Sequence, residues 1–249
     1  MFDLNGRVAL VTGAGQNVGA GIARTLAAQG AAVAVNDFHA DRADRIAAQI
    51  VDAGGAAIAF PFDVTDASAV SDAVTGIASR LGPVDVLVNN AGTGGPEVPM
   101  PMAQFADTEP ADWAPIIGVN LFGPMNCAKA VLTTMISRGW GRIITISSGA
   151  GQIGMDIGVS TYAAGKAGIA GFMRHLAVEN ARYGITVNTI SLGIVLEDAS
   201  GIAELAKTIP VGRLGTPDEV GALAVYLASD EAAWMTGQTI GLNGGSLVI

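Results

Sequence analysis

The sequence predicts a single α/β domain: a doubly wound sheet of about seven parallel strands with helices on both faces. Short β-rich runs alternate with longer helical patterns from end to end, and alternation of this kind implies parallel strands joined by crossover helices. Runs such as "VDVLV" (Val84 to Val88) are apolar at all but one position, as expected of a sheet covered on both sides. No linker, repeat or low-complexity segment divides the 249 residues. Length alone allows two small domains or one α/β domain, and the unbroken alternation favours one, spanning 1–249.

The expected strands are Val8–Thr12 (VALVT), Ala32–Asn36 (AVAVN), Ala57–Pro61 (AIAFP), Val84–Asn89 (VDVLVN), Arg142–Ser147 (RIITIS), Ile185–Ile190 (ITVNTI) and Thr239–Asn243 (TIGLN). Between them helices are expected near Val18–Gln29, Asp41–Ala53, Ala67–Arg80, Asp112–Ser137, Tyr162–Tyr183 and Pro217–Ala228. The last has the clearest start. In "TPDEV", Thr216 is the N-cap, Pro217 the first helical residue and Glu219 the capping-box partner.

Half of the residues are hydrophobic and mean hydropathy is +0.46, which fits a large core plus buried subunit contacts. Charges, Gly or Pro interrupt the apolar stretches short of a membrane span. A net charge of −9 argues against nucleic acid, whose phosphates demand a basic surface. The single Cys127 cannot form an internal disulfide, and no Cys/His spacing fits a metal. The N-terminus lacks the basic and apolar regions of a signal peptide. The expectation is a soluble, reduced, cytoplasmic protein.

The glycine-rich "VTGAGQNVGAG" (Val11 to Gly21) follows the first strand and precedes a helix, the context a dinucleotide loop requires. Its spacing departs from G-x-G-x-x-G: after Gly13 and Gly15 the next glycine is Gly19. Glycines let the backbone approach a pyrophosphate, and a helix N-terminus offers N–H groups and the positive end of a dipole. An ordinary glycine-rich turn fits the loop alone equally well. Asp37, closing "VAVND", stands where a carboxylate would accept the adenosine ribose hydroxyls. It would repel a 2′-phosphate, which favours NAD over NADP, although Arg42 and Arg45 keep NADP use open. A solvated acidic turn is the plainer alternative for Asp37.

In "STYAAGKAG", Tyr162 and Lys166 are four apart on a predicted helix and share one face. Tyrosine titrates near pH ~10. A nearby ammonium would lower that by roughly 1–3 units, making the pair a credible general acid/base. The spacing by itself is common among surface residues.

These stretches, together with "TGAGQNVG", "FDV" (Phe62 to Val64), "NNAG" (Asn89 to Gly92), Asn120 in "VNLFG", "GRIITISS", "ITVN", "GRLGTPDEV" and "TGQTIGLNGG", occur in order along the chain. In them the chain resembles the short-chain dehydrogenase/reductase family of NAD(P)-binding Rossmann-fold oxidoreductases. The resemblance implies that Tyr162 exchanges a proton with the carbonyl or alcohol oxygen and that Ser148 orients that oxygen. Lys166 would hold the nicotinamide ribose and lower the tyrosine pKa, and Asn120 would keep a relay water beside Lys166. The cofactor would contact Gly13, Gly15, Gln16, Asn17, Val18 and Gly19 in the turn. Asp37, Phe38, Asp63 and Val64 would follow, then Asn90, Ala91 and Gly92, and finally Gly193 and Val195 beside Tyr162 and Lys166. No metal is implied, and a homotetramer is. Three alternatives stay open: Ser147 in place of Ser148, Asn120 as a helix-backbone partner, and Asp63 as a turn cap.

Four positions depart from the family pattern. Asn17 replaces a glycine, and is expected either to adopt a positive φ or to cap the helix that follows. Ser148 and Tyr162 are fourteen apart, about one residue more than the family implies, so a slightly enlarged substrate loop is expected. Leu192 stands where proline commonly precedes Gly193, and Glu197 where a threonine contacts the nicotinamide carboxamide.

The substrate loops are expected at 93–110, 149–161 and 192–210. Thr93–Pro110, Gly149–Thr161 and Leu192–Ala206 contain no Lys or Arg, which disfavours phosphorylated, carboxylate and thioester substrates. Met100, Met102, Ile153, Met155, Ile157, Ile194 and Leu196 offer an apolar lining; Ile153, Met155, Ile194 and Leu196 are the chosen substrate contacts. The expected reaction is NAD-dependent interconversion of a neutral, fairly hydrophobic secondary alcohol and its ketone. A cationic substrate stays open because Glu97, Asp156, Glu197 and Asp198 lie in the same loops. The alternatives are an NADPH-dependent 3-oxoacyl-thioester reductase and a catalytically silent NAD-binding sensor.

Overall fold

The computed structural model describes residues 1–93, 102–197 and 203–248. Seven strands form one sheet: β1 (Val8–Val11), β2 (Ala32–Val35), β3 (Ala56–Ala59), β4 (Val86–Asn89), β5 (Gly141–Ser148), β6 (Ile185–Leu192) and β7 (Thr239–Leu242). Every neighbouring pair is parallel, and the order is β3-β2-β1-β4-β5-β6-β7. Strand order reverses between β1 and β4, which opens a crevice at their carboxyl ends.

The helices are α1 (Asn17–Ala28), α2 (Ala40–Asp52), α3 (Ala67–Arg80), α4 (Pro110–Ile117), α5 (Gly123–Arg138), α6 (Ser160–Asn180), α7 (Ala203–Ala206) and α8 (Pro217–Ala228). Successive strand residues feed two separate cores, as the period of two requires. Ala9, Val11, Val86 and Val88 pack with Ile22 and Leu26 of α1 and Val220 of α8. Val8, Leu10 and Leu87 pack on the other face with Ile77, Val131, Met135, Ile169 and Met173. At the α1–α8 crossing, a side chain on Gly21 would strike Pro217 and one on Gly221 would strike Thr25. Two glycines therefore set how closely these helices approach.

Element boundaries moved where single residues decide them. β3 ends at Ala59: the Phe60 amide makes the last bond to β2, at the Val35 carbonyl, and the Phe60 carbonyl is taken by the Asn36 side chain instead of the ladder. β6 runs two residues past its expected end, to Leu192, because β7 pairs with it there. The helix expected over Asp112–Ser137 starts earlier, at Pro110, where the Asp112 side chain reaches back to accept the Glu109 amide at 2.8 Å. It is also broken by a π turn at Gly118–Phe122. The Gly123 amide donates to the Gly118 carbonyl, five residues back, and Pro124 next to it has no N–H to give the carbonyl of Asn120, so one regular α bond is missing beside the turn.

One composition-based expectation needs correcting. Pro110–Arg138 is apolar and long enough to cross a membrane, with a window of mean hydropathy 1.2. Cys127, Ala128, Val131 and Met135 of this run are buried in the second core, so this length of apolar helix is explained by packing against the sheet.

Candidate active site

A cleft of about 380 Å³ lies across the carboxyl ends of the strands. Its walls run from Asp37 at one end to Tyr162 and Lys166 at the other. The nucleotide end is built first by the glycine turn. Gly13 has a φ of 60°, and a side chain there would come within 2.8 Å of the Ala91 Cα. A side chain on Gly19 would strike the Gly13 carbonyl. The turn is thus packed on the Asn90–Gly92 strand end with no room for a Cβ.

Asn17 has a φ of 50°, the first of the two conformations expected of it. It does not cap α1: the N-cap is Gln16, and its side chain makes no capping bond. By contrast, Asp66 caps α3 and Thr216 caps α8. The first N–H groups of α1 therefore meet the cleft without a side-chain cap, which is the donor set a pyrophosphate uses.

Asp37 is buried at the tip of β2. Its Oδ2 accepts the Gly15 amide at 3.1 Å and its Oδ1 accepts the His39 amide at 3.0 Å. A carboxylate has about four acceptor sites, so both oxygens retain capacity for ribose hydroxyls. Phe38 flanks it, edge-on to the His39 ring. Arg42 also lines the cleft, whereas Arg45 donates to the Gly15 carbonyl at 2.8 Å. Asp63 lines the cleft beside Val64 and also caps its own turn, accepting the Thr65 amide and hydroxyl at 2.8 Å each.

Several residues here were missed from sequence. Asn36 receives the Gly13 amide at 3.3 Å and donates to the Phe60 and Phe62 carbonyls, so it joins three strand ends beneath the cleft. Thr12 Oγ1 accepts the Asn90 and Ala91 amides. The Asn90 amide group donates back to the Thr12 and Gly13 carbonyls at 2.9 Å. An amide or hydroxyl one residue past an apolar strand, at the end that carries the glycine turn, is the signal that marks both Asn36 and Thr12.

At the other end, α6 presents Tyr162 and Lys166 one turn apart, with the Lys166 Nζ 5.7 Å from the Tyr162 ring centroid. Lys166 is 4% exposed and donates to the Ile146 carbonyl at 2.9 Å. Burial lowers its pKa to about 8. Burial likewise raises the Tyr162 pKa, and a hydrogen bond with Ser148 partly opposes this. The expected depression of the tyrosine is therefore not what this arrangement produces. The low dielectric penalises phenolate and ammonium alike, and the lysine is turned to a carbonyl.

Ser148, at the end of β5, is the serine that meets Tyr162; Ser147 instead donates to the Lys166 carbonyl at 3.1 Å. Asn120 is fully buried in the π turn, with its amide group on the Thr93 and Ile116 carbonyls. A side chain on Gly92 would lie 3.0 Å from both the Asn120 Oδ1 and the Lys166 Nζ. The bare glycine keeps that space open between them.

The substrate segments are only partly assembled. Gly193 and Val195 line the cleft, as do the missed Thr93, Ile146 and Leu192. Gly15, Ile153, Met155, Ile194 and Leu196 do not. Gly15 sits behind the wall under Asp37, and Ile194 turns into a second cavity of about 230 Å³ against Ile209 and Leu214. Leu196 is tied by its amide to the Gly215 carbonyl. Ile153, Met155 and Ile157 are exposed at the rim. Glu197 pairs with Arg24 at 3.1 Å, and Asp156 accepts from Gln104. Glu97, Met100 and Asp198 lie outside the described residues.

A parallel doubly wound sheet with an uncapped helix at the crevice and a half-buried tyrosine beside a buried lysine opposite defines a dinucleotide-dependent oxidoreductase. A short-chain dehydrogenase family model, described as enoyl-(acyl carrier protein) reductase, matches residues 13–246. D-threitol dehydrogenase of Mycolicibacterium smegmatis is 38% identical over 98% of this chain and 94% of its own length. Acetoacetyl-CoA reductase of Rhizobium meliloti is 41% identical over 96% of this chain and 98% of its own. Among solved structures, a gluconate 5-dehydrogenase of Burkholderia cenocepacia in complex with NADP and tartrate superposes with a TM-score of 0.89. It is 36% identical over 98% of this chain and 96% of that one. The chain belongs to the short-chain dehydrogenase/reductase family, and is an oxidoreductase of alcohol and ketone groups with a nicotinamide cofactor.

Proposed function

We propose that the enzyme uses NAD to interconvert a neutral, fairly hydrophobic secondary alcohol and its ketone, with Tyr162 as general acid/base. The observation that carries the choice of cofactor is Asp37: a buried carboxylate on the cleft wall, fixed by the Gly15 and His39 amides. Its free acceptor sites suit two ribose hydroxyls, and its charge opposes a 2′-phosphate. The uncapped start of α1 suits the pyrophosphate, and the space left by Gly92 beside Lys166 suits the second ribose. The nicotinamide supplies or receives the hydride. Arg42 on the same wall favours the second reading, in which NADP is also accepted.

The residues of the chain divide the remaining work. Ser148 donates to the substrate oxygen and orients it. Tyr162, held protonated by burial, delivers its proton to a developing alkoxide in reduction and takes it back in oxidation. Lys166 holds the ribose hydroxyls and returns the proton toward solvent through the Asn120 turn. Neutral substrates are favoured because the cationic side chains beside the described loops are already paired: Arg24 with Glu197 and Arg213 with Glu219.

The working form is proposed as a cytoplasmic homotetramer, the assembly supported by half-exposed apolar side chains such as Phe122; sedimentation of the purified chain tests the assembly. The test of function is turnover of neutral alcohols and ketones with NAD and NADP forms, with Tyr162→Phe as control. A panel dominated by anionic substrates or thioesters would overturn the substrate class. NAD binding without turnover, unchanged in the Tyr162→Phe enzyme, would leave a nucleotide sensor instead.

A further inference from the structure

We infer that Asn17, Glu197 and Arg24 form a clasp across the cleft that sets how fast the dinucleotide leaves. The inference rests on the proposed cofactor site.

Two of the four departures from the family pattern touch each other. The Asn17 Oδ1 accepts the Glu197 backbone amide at 3.1 Å, across 180 positions of sequence. A glycine at position 17 would hold the left-handed turn with less strain, but it would offer no acceptor. Arg24 lies seven residues further along α1, on the same face. Its Nη2 is 3.1 Å from the Glu197 Oε1. Glu197 is therefore held twice by α1, through its backbone and through its carboxylate, and its side chain is directed to Arg24.

The other flank of this segment is held as well. The Leu196 amide donates to the Gly215 carbonyl at 3.3 Å and the Gly215 amide to the Ile194 carbonyl at 3.1 Å. The Gly193 amide donates to Leu242 at the end of β7. Residues 193–197 are thus strung between the sheet and the pyrophosphate helix. Asn17, Gly193 and Val195 all line the cleft, so the clasp joins two of its walls. Opening the cleft between them breaks the Asn17 bond and the ion pair together. Asn17, Arg24 and Glu197 act here as positioning residues.

The ion pair is about half exposed, so its effect is modest and falls with salt. The test is stopped-flow release of NADH, followed by its fluorescence, from the wild-type enzyme, Arg24→Glu, Glu197→Arg, their double variant, Arg24→Gln and Asn17→Gly. Each single variant is expected to release NADH roughly two- to fivefold faster. The charge-reversed double variant should return toward the wild-type rate, and high salt should speed release from wild type but not from Arg24→Gln. A clasp of purely structural importance would lower the unfolding temperature without changing release. Unchanged release in all variants, or no recovery in the double variant, overturns the clasp. Failure of the wild-type enzyme to bind NADH at all would overturn the cofactor reading instead.

Discussion

The Asp37 carboxylate receives the Gly15 amide at 3.1 Å, which makes the tip of β2 and the glycine turn one unit. A Cβ on Gly15 would come within 2.6 Å of that carboxylate and 2.5 Å of the Arg42 Cβ. Asp37→Ser is expected to cost roughly 10- to 100-fold in kcat/KM for NAD, the range for hydrogen bonds to a charged group. Its effect with NADP should be smaller, because the repelling charge is gone. Steady-state kinetics with both cofactors check this. Gly15→Ala should weaken both cofactors, since the side chain displaces Asp37 and Arg42 together.

The pH profile should separate the two directions. Burial keeps the Tyr162 phenol above its ordinary pKa. Ketone reduction, which needs the phenol, should hold through neutral pH and fall in alkali. Alcohol oxidation, which needs its conjugate base, should climb as pH rises. Tyr162→Phe should lower both by about 10²- to 10⁴-fold while NADH binding persists.

Lys166 makes a stability prediction of defined sign. Its folded pKa of about 8 lies below the ordinary 10.5. Between those values the unfolded chain binds the proton and the folded chain does not, so raising the pH favours folding. The cost of burying the charge is fully present below pH 8 and is relieved by about pH 10.5. Denaturant melts of wild type and Lys166→Met should show this slope in the first and lose it in the second.

Pro124 should matter for activity more than for folding. Restoring the N–H with Pro124→Ala allows a regular bond to the Asn120 carbonyl, which competes with the π turn. Asn120 would then rotate away from Thr93 and Gly92. A fall in kcat with an unchanged or higher unfolding temperature is expected; unchanged kcat would show that the turn is held by packing alone.

The start of α8 is a capping box reinforced by Arg213. Thr216 accepts the Glu219 amide at 3.4 Å, and Glu219 accepts the Thr216 amide at 2.9 Å. Thr216→Ala should cost about 1 kcal/mol, a drop of roughly 2–4 °C for a chain of this size. Arg213 holds the Glu219 pKa down to about 2. The stabilisation is present above the ordinary value near 4.5 and is lost as pH falls toward 2; solvent exposure of the pair limits its size.

The fold was legible because its cues are local and repeated. Alternating apolar strands and the "TPDEV" start each declare an element within a few residues. The break at Gly118–Phe122 was not, since amphipathic spacing continues through it and only Pro124 signals the missing bond. At the site, motif residues such as Asp37, Ser148, Tyr162 and Lys166 meet in one cleft. Asn36, Thr12 and the Asn17–Glu197 contact depend on residues 23 to 180 positions apart, beyond the reach of spacing. The substrate residues were the least legible. Ile153, Met155, Ile194 and Leu196 share only their apolarity, and apolarity alone does not tell a cleft wall from an exposed rim or a neighbouring cavity.

The most direct measurement is the initial rate of reduction of a neutral ketone with NADH and with NADPH under identical conditions. A kcat/KM at least tenfold higher with NADH, lowered about 10²- to 10⁴-fold by Tyr162→Phe, is the predicted result. Equal or better use of NADPH would contradict the role given to Asp37.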